Sequence, residues 1–391
     1  MLAALVTGYV PPFGQRLAKV FKTSGTADLS RLANLCPRGI PQGSLIHGGL
    51  SSLLRHVIFK RRMRSGAGGE LIMEFERQFA EWASRLALPD HTSFMGFSYS
   101  SLELMEKERE AGRFVVVIQI DAAEFHQKLV LEEAKLWPNY AGVGIEFPKE
   151  YFERARREWA LADLILVNST WTRQMLVGEG VPENKIETIP LAYSPPAADT
   201  PAPREEKVEL SVLWLGNVAL GKGIQYLVEA ARLLVGEPVR FTVAGQLHVS
   251  KQAVKAAPGN MIFVGPIPSA SVAAFLDRGD VFVFPTLSDG FGITQIEAMA
   301  HGLPVITTPN CGEVVEHGVT GYIIEPRNPH ALANAIHLFS RNRDLLRTMA
   351  SRCVCAAKSF GPEVFGVKLR DILVGRSHGT TGAIASLRPA T

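Results

Sequence analysis

Ser288-Asp289-Gly290-Phe291-Gly292-Ile293-Thr294-Gln295-Ile296-Glu297-Ala298-Met299-Ala300-His301-Gly302-Leu303-Pro304-Val305 is the stretch on which the reading of this chain turns. Just before it runs Val281-Phe282-Val283-Phe284-Pro285, a continuous apolar block with β-branched and aromatic members, the pattern of a buried parallel strand. The glycines break the chain ahead of a helix over 292–301 whose core face is Ile293, Ile296 and Ala300. Gly302-Leu303-Pro304 ends that helix before a strand at Val305-Ile306-Thr307. Asp289 then lies in the loop at the first strand's carboxyl end, and Glu297 on the first turns of the helix. Helical side chains lean toward the amino terminus, so both carboxylates come within reach of one ligand. The amides of Gly290, Phe291, Gly292, Ile293 and Thr294 open the helix and suit a phosphate group. The simpler alternative makes Asp289 a helix cap and Glu297 a solvated surface carboxylate; the surrounding glycines argue against it.

Working outward, strand and helix signals alternate regularly. Strands are expected at 212–215, 241–244, 261–264, 281–284, 305–307 and 322–324, and helices at 223–235, 269–277, 292–301 and 329–340. Such alternation predicts a doubly wound parallel sheet. Ahead of it, Ser194-Pro195-Pro196-Ala197-Ala198-Asp199-Thr200-Pro201-Ala202-Pro203 has four prolines and little to bury, which marks a linker. Earlier still, Phe114-Val115-Val116-Val117-Ile118 and Leu164-Ile165-Leu166-Val167 are buried-strand runs, with a helix around Tyr151 to Leu161 before the second and a further strand candidate at Leu2 to Thr7. The expected division is a first domain over 1–193, a linker over 194–207, a second domain over 208–345, terminal helices over 346–374 and a disordered Gly, Ser and Thr rich tail over 375–391.

The stretch around Asp289 resembles the donor-site signature of the retaining nucleotide-sugar glycosyltransferases of family 4 (glycosyl transferases group 1). That signature is an acidic residue, Gly-Phe-Gly, a few apolar residues, Glu-Ala, and a Gly-x-Pro-Val strand. Glu297 matches it directly, and Asp289 stands where Glu is usual. The likeness covers roughly residues 208–345, and more weakly reaches back to about 112. It implies an α/β chain of two Rossmann-like domains facing across a cleft (GT-B architecture). Members open the first domain with a strand and a glycine-rich turn. Here Tyr9-Val10-Pro11-Pro12-Phe13-Gly14 has one glycine, so the amino-terminal domain is expected to lack the usual first strand and to begin at what would be the second.

Leu215-Gly216-Asn217-Val218-Ala219-Leu220-Gly221-Lys222-Gly223 is a second motif between a strand and a helix. As Gly-x4-Gly-Lys it nearly matches a nucleoside triphosphatase loop, but Gly223 occupies the place where that loop needs a Ser or Thr hydroxyl on magnesium. The family resemblance offers another reading, in which Gly216, Lys222 and Gly223 match residues that contact the donor diphosphate, while Asn217 stands where Arg is usual. A solvated lysine beside a tight turn is the third. Many members also carry a His near the reacting sugar; Val117 to Asp121 has none there, and His126, five residues on, is within reach of the cleft but is more in keeping with a surface or internally satisfied residue of a helix.

Composition sets limits of its own. The chain's 391 residues are too many for one ordinary core and predict two domains. No apolar run approaches the roughly 18 residues of a membrane span, and Met1 to Val10 lacks the positive leader of a secretory signal. A cytoplasmic location follows as the default. Cys36, Cys311, Cys353 and Cys355 make neither a disulfide framework nor zinc spacing, so they are expected to be reduced and structural. Asn168-Ser169-Thr170 has the form of a glycosylation acceptor, yet Ser169 or Thr170 is more naturally the cap of the next helix. Net charge is +3, but residues 1–64 carry ten Lys or Arg against Asp28 alone. A basic segment over 16–64 suits a solvated face, or peripheral attraction to an anionic membrane or a phosphorylated acceptor. Its aromatics are too sparse for nucleic acid.

The function that the resemblance implies is transfer of a sugar from a nucleotide-diphosphate donor to a glycan or lipid-linked acceptor hydroxyl, with retention and without a metal or other cofactor. Glu297 would accept from the ribose hydroxyls, Asp289 would hold a donor-sugar hydroxyl, and the amides of Gly290 to Thr294 would contact sugar and diphosphate. Lys222 and the helix start at Gly292 would stabilise charge on the leaving diphosphate. Two other classes stay open: a degenerate nucleotide-sugar-binding subunit without turnover, and a nucleotide-sugar epimerase of similar architecture.

Overall fold

The structure is a computed structural model that describes residues 5–7, 45–47, 55–56, 58–59, 61–63, 68–142, 146–194 and 208–385. Twelve strands are assigned among them. β1 (Leu5–Thr7) pairs in parallel with β2 (Leu45–His47), Leu5 opposite Leu45. β3 (Ser93–Phe97), β4 (Phe114–Gln119), β5 (Leu164–Val167) and β6 (Ile186–Thr188) form a four-stranded sheet in that order. β7 (Leu210–Leu215), β8 (Val239–Ala244), β9 (Met261–Gly265), β10 (Val281–Phe284), β11 (Val305–Thr307) and β12 (Gly321–Ile323) form a six-stranded sheet in the order β12-β11-β10-β7-β8-β9, every pairing parallel. The chain divides into two compact units, Met1–Val117 with Ile145–Asp163, and Ile118–Gly144 with Leu164–Thr391.

The six-stranded sheet follows from its sequence. Both faces of a parallel sheet are covered by helices, so alternate residues of each strand enter different cores. Leu210, Val212, Trp214, Val281 and Val283 pack with Leu227 and Val228 of the helix Ile224–Leu233 and with Ile336 and Phe339 of the helix Pro329–Arg341. Leu213, Phe282 and Phe284 face the other way, against Ile296 and Met299 of the helix Thr294–Ala300. Strand order reverses between β7 and β10, which lie side by side, Val281 opposite Val212. In open α/β sheets, the crevice beyond the carboxyl ends at such a reversal is where ligands bind.

Strands β7 to β12 fall where the sequence predicts them, β12 one residue early. Ser169 caps the helix Thr170–Gly178, its hydroxyl accepting from the amide of Thr172 at 3.0 Å. The Asn168 side chain is 3% exposed and donates to the carbonyl of Ile120, so it is no glycan acceptor in this fold. Cys311 and Cys353 are buried thiols outside any disulfide, and Cys355 is an exposed one; burial pushes the Cys311 thiol up to about 12. The linker at 195–207, the Tyr9 to Gly14 turn, Cys36 and most of the basic segment lie outside the described residues. At the other end the helix Pro362–Ala385 continues past Gly375, where composition predicts a disordered tail. Gly, Ser and Thr cost up to about 1 kcal/mol each in a helix relative to Ala. Arg376 opposes that cost by donating to the carbonyl of Asn184 and pairing with Glu187.

In the first unit a buried carboxylate fixes the turn after β3. Glu158, in the helix Lys149–Leu161, accepts from the amides of Tyr99 at 2.6 Å and Ser101 at 3.0 Å. Tyr99 itself has φ of 72° and stacks on Tyr151 at 4.3 Å. Burial raises Glu158 to about 7 against these hydrogen bonds and the charge of Arg154. A carboxyl with a raised folded-state pKa gives stability that is complete below the unfolded value, near 4.5, and is lost as pH rises through the folded one. The melting temperature of the wild type is therefore expected to fall from pH 5 to pH 7.5 more steeply than that of Glu158→Gln. Parallel pH curves for the two proteins would refute this.

Candidate active site

Two loops meet beyond β7 and β10. After β7, Gly216 donates to the carbonyl of Ala244, and a short 3-10 turn at Leu220–Lys222 leads through Gly223 into the helix Ile224–Leu233. Gly223 has φ of 71°, and a Cβ there would lie 1.9 Å from the carbonyl oxygen of Pro285, so the position admits only glycine. That is the structural reason for Gly223 where a triphosphatase loop has a hydroxyl. The loop after β10 is laced to the first: the amide of Leu287 and the hydroxyl of Thr286 both donate to the carbonyl of Gly221.

This lacing brings Lys222 onto Asp289. Their side chains form an ion pair with 26% and 18% exposure, and the Lys222 ammonium stands 6.0 Å from the centre of the Phe284 ring. Asp289 is held from three directions. Its amide donates to the carbonyl of Asn310 at 2.9 Å, its Oδ1 accepts from the amide of Phe291 at 3.2 Å, and its Oδ2 meets Lys222. The Phe291 amide is thus used within the loop, whereas those of Gly290, Gly292, Ile293 and Thr294 have no acceptor among the described residues. The Phe291 ring is buried in the core beside Phe360. Gly292, at φ of 75°, leaves room for Phe284, which a Cβ would approach to 2.5 Å.

Glu297 sits in the first turn of the helix Thr294–Ala300, partly buried. Among the described residues nothing donates a hydrogen bond to its carboxylate. Burial raises its pKa, opposed by the nearby His301. Tyr193 lies close enough that the Glu297 charge adds to burial in raising the phenol. A half-buried carboxylate without a donor is costly, and a ligand that supplies hydroxyl donors removes that cost. No hydrogen bond or ion pair joins Glu297 to Lys222 or Asp289. Asn217 is exposed in the loop after β7.

Of the sequence readings of His126, the structure excludes the surface one and places the ring against this loop, internally hydrogen-bonded. Its ring packs on Gly221, where an added Cβ would lie 2.9 Å from Cε1. Burial and then the charge of Lys222 lower its pKa, against Asp121, Asp289 and a hydrogen bond with the Ser288 backbone. The imidazole is accordingly neutral at pH 7. Trp171 donates to the hydroxyl of Ser288 at 3.3 Å, another neighbour that spacing along the chain does not disclose. Gly290 packs where a Cβ would meet the carbonyl oxygen of Ile120 at 1.6 Å. Gly290→Ala is expected to cost about 1 to 3 kcal/mol of stability, the usual penalty of overpacking, seen as a lower denaturation midpoint. An unchanged midpoint would show that this approach does not constrain the loop.

Among the described residues no group of three or more His, Cys, Asp or Glu is arranged to hold a metal ion, and no helix is long and apolar enough to cross a membrane. Residues 209–342 match the family model described as glycosyl transferases group 1. The amylovoran biosynthesis glycosyltransferase AmsK of Erwinia amylovora is 28% identical over 192 residues, 45% of this chain and 47% of that protein. The chain spans about half the length of the curated relatives it matches. Among solved structures, sucrose-phosphate synthase from Thermosynechococcus elongatus aligns with a TM-score of 0.60 at 19% identity, covering 79% of each chain. HepE from Anabaena, solved with UDP and glucose, aligns with a TM-score of 0.60 at 14% identity over 95% of this chain and 98% of its own. The fold is accordingly the α/β, two-Rossmann-domain GT-B architecture of these proteins, and residues 209–342 are similar in sequence to the glycosyl transferases group 1.

Proposed function

We propose that this protein is a glycosyltransferase that moves a sugar from a nucleotide-diphosphate donor to an acceptor hydroxyl with retention of anomeric configuration. The observation that carries the reading is the Lys222–Asp289 pair at the strand-order reversal, beside loop amides without an acceptor among the described residues, with the carboxylate of Glu297, to which none of those residues donates a hydrogen bond, on the same loop and helix. Lys222 and the amides of Gly292, Ile293 and Thr294 hold the diphosphate and take up the negative charge that grows as it leaves, which is electrostatic catalysis without a metal. Glu297 accepts from the ribose hydroxyls, and Asp289 holds a hydroxyl of the donor sugar. The acceptor's proton passes to the leaving phosphate, so no protein base is assigned.

A uridine nucleotide is the first donor to try, because HepE is solved with UDP. AmsK is named for amylovoran biosynthesis, so a glycan or lipid-linked acceptor is the first acceptor class. The cations of residues 16–64 would add peripheral attraction to an anionic membrane on the cytoplasmic side. The test is nucleotide release from uridine, guanosine and adenosine diphosphate sugars in the presence of a chelator. Release that depends on an acceptor supports the reading. Thermal stabilisation by a donor without release would instead favour a binding subunit, and loss of activity in chelator would refute metal independence.

A further inference from the structure

We infer that Asp289 is the resident counter-ion of Lys222, which the donor's diphosphate must displace, so that the nucleoside diphosphate product is held weakly and leaves. The inference rests on the donor-site reading above and concerns its regulation. Two observations carry it. The carboxylate is fixed by its own backbone and by the Phe291 amide, and it points its remaining oxygen at Lys222. The lysine is fixed in turn by the lacing of Gly221 to Thr286 and Leu287. The pair is therefore built into the two loops, unlike a chance contact between long exposed side chains.

His126 packs beside the pair but is neutral at pH 7, and Asn217 brings no cation to the loop. The pair itself sets one ammonium against one carboxylate. A diphosphate that reaches Lys222 must part it from Asp289 and then lie beside a carboxylate of like sign. With a donor sugar attached, Asp289 gains a hydroxyl to accept from, and the cost is offset. With the free nucleoside diphosphate it gains nothing. Asp289 thereby discriminates donor from product at one site.

The experiment is calorimetric titration of wild type, Asp289→Asn, Lys222→Met and the double variant with whichever of uridine, guanosine or adenosine diphosphate the wild type binds. Asn keeps the oxygen that accepts from the Phe291 amide, and Asp289→Ser is a second variant should Asn disturb folding. Asp289→Asn is expected to bind the nucleoside diphosphate roughly tenfold tighter, with correspondingly stronger product inhibition, while sugar transfer slows. In the Lys222→Met background the gain shrinks. Equal or weaker product binding by both Asp289 variants would overturn the inference and leave the donor site standing. Absence of nucleotide binding by the wild type would overturn the donor-site reading itself.

Discussion

Lys222→Met is expected to lower sugar transfer by about two powers of ten, with a smaller effect on the thermal midpoint. The ammonium is the charged donor at the reversal of strand order, and the loop that carries it is fixed before any ligand arrives. A charge-assisted hydrogen bond to a partly buried phosphate is worth about 1.5 to 3 kcal/mol, and a preorganised donor to a developing oxyanion about 2.7 to 4 kcal/mol. Either converts to between one and three powers of ten in rate. The loss should appear in kcat, because the charge on the leaving diphosphate grows toward the transition state. The variant leaves Asp289 without its cation, so the midpoint is measured alongside. A variant that folds and retains wild-type kcat would remove Lys222 from the chemistry.

Glu297→Ala is expected to reduce kcat/KM for the donor at least tenfold, mainly through KM, because two hydroxyl donors lose their acceptor. The same residue predicts a pH dependence. Burial holds its pKa above the ordinary carboxylate range, so donor affinity should begin to fall with acidification at a higher pH than an exposed carboxylate would give. Glu297→Gln, which cannot ionise, should flatten that acid limb. A limb unchanged in Glu297→Gln would assign it elsewhere.

These predictions rest on a site of which the sequence shows the parts and not the pairing. β10, Asp289, the glycines and Glu297 are legible because they are contiguous, and because a fully buried strand, a glycine break and a short helix each leave a local signature. Lys222 is legible as part of a strand-to-helix loop. Its partnership with Asp289 spans 67 residues and comes from the adjacency of β7 and β10, which no local pattern encodes. His126 is hidden in the same way: the helix Ala123–Leu136 bears it, but only the packing against Gly221 tells it from a solvated histidine.

The fold divides along similar lines. The six-stranded sheet is readable because each strand is a dense apolar run with helices at regular intervals. β3 is not, since Gly96 interrupts Ser93–Phe97 and weakens the strand signal. A Cβ there would lie 2.3 Å from the hydroxyl oxygen of Ser101, in the turn that follows β3. β6, three residues long with one buried, carries too little hydrophobic pattern to stand out. The helix that follows Ser169 is signalled by its cap, and the structure repeats the device at Ser250, Asn328 and Asn342.

The measurement that bears most directly on the proposed donor site is a crystal structure of the wild-type protein grown with uridine, guanosine or adenosine diphosphate. The β-phosphate is expected on the Lys222 ammonium and the amides of Gly292 to Thr294, the ribose hydroxyls on Glu297, and the Lys222–Asp289 pair opened. A nucleotide bound away from these residues would contradict the donor site, and one bound there with the pair intact would contradict the displacement of Asp289 alone.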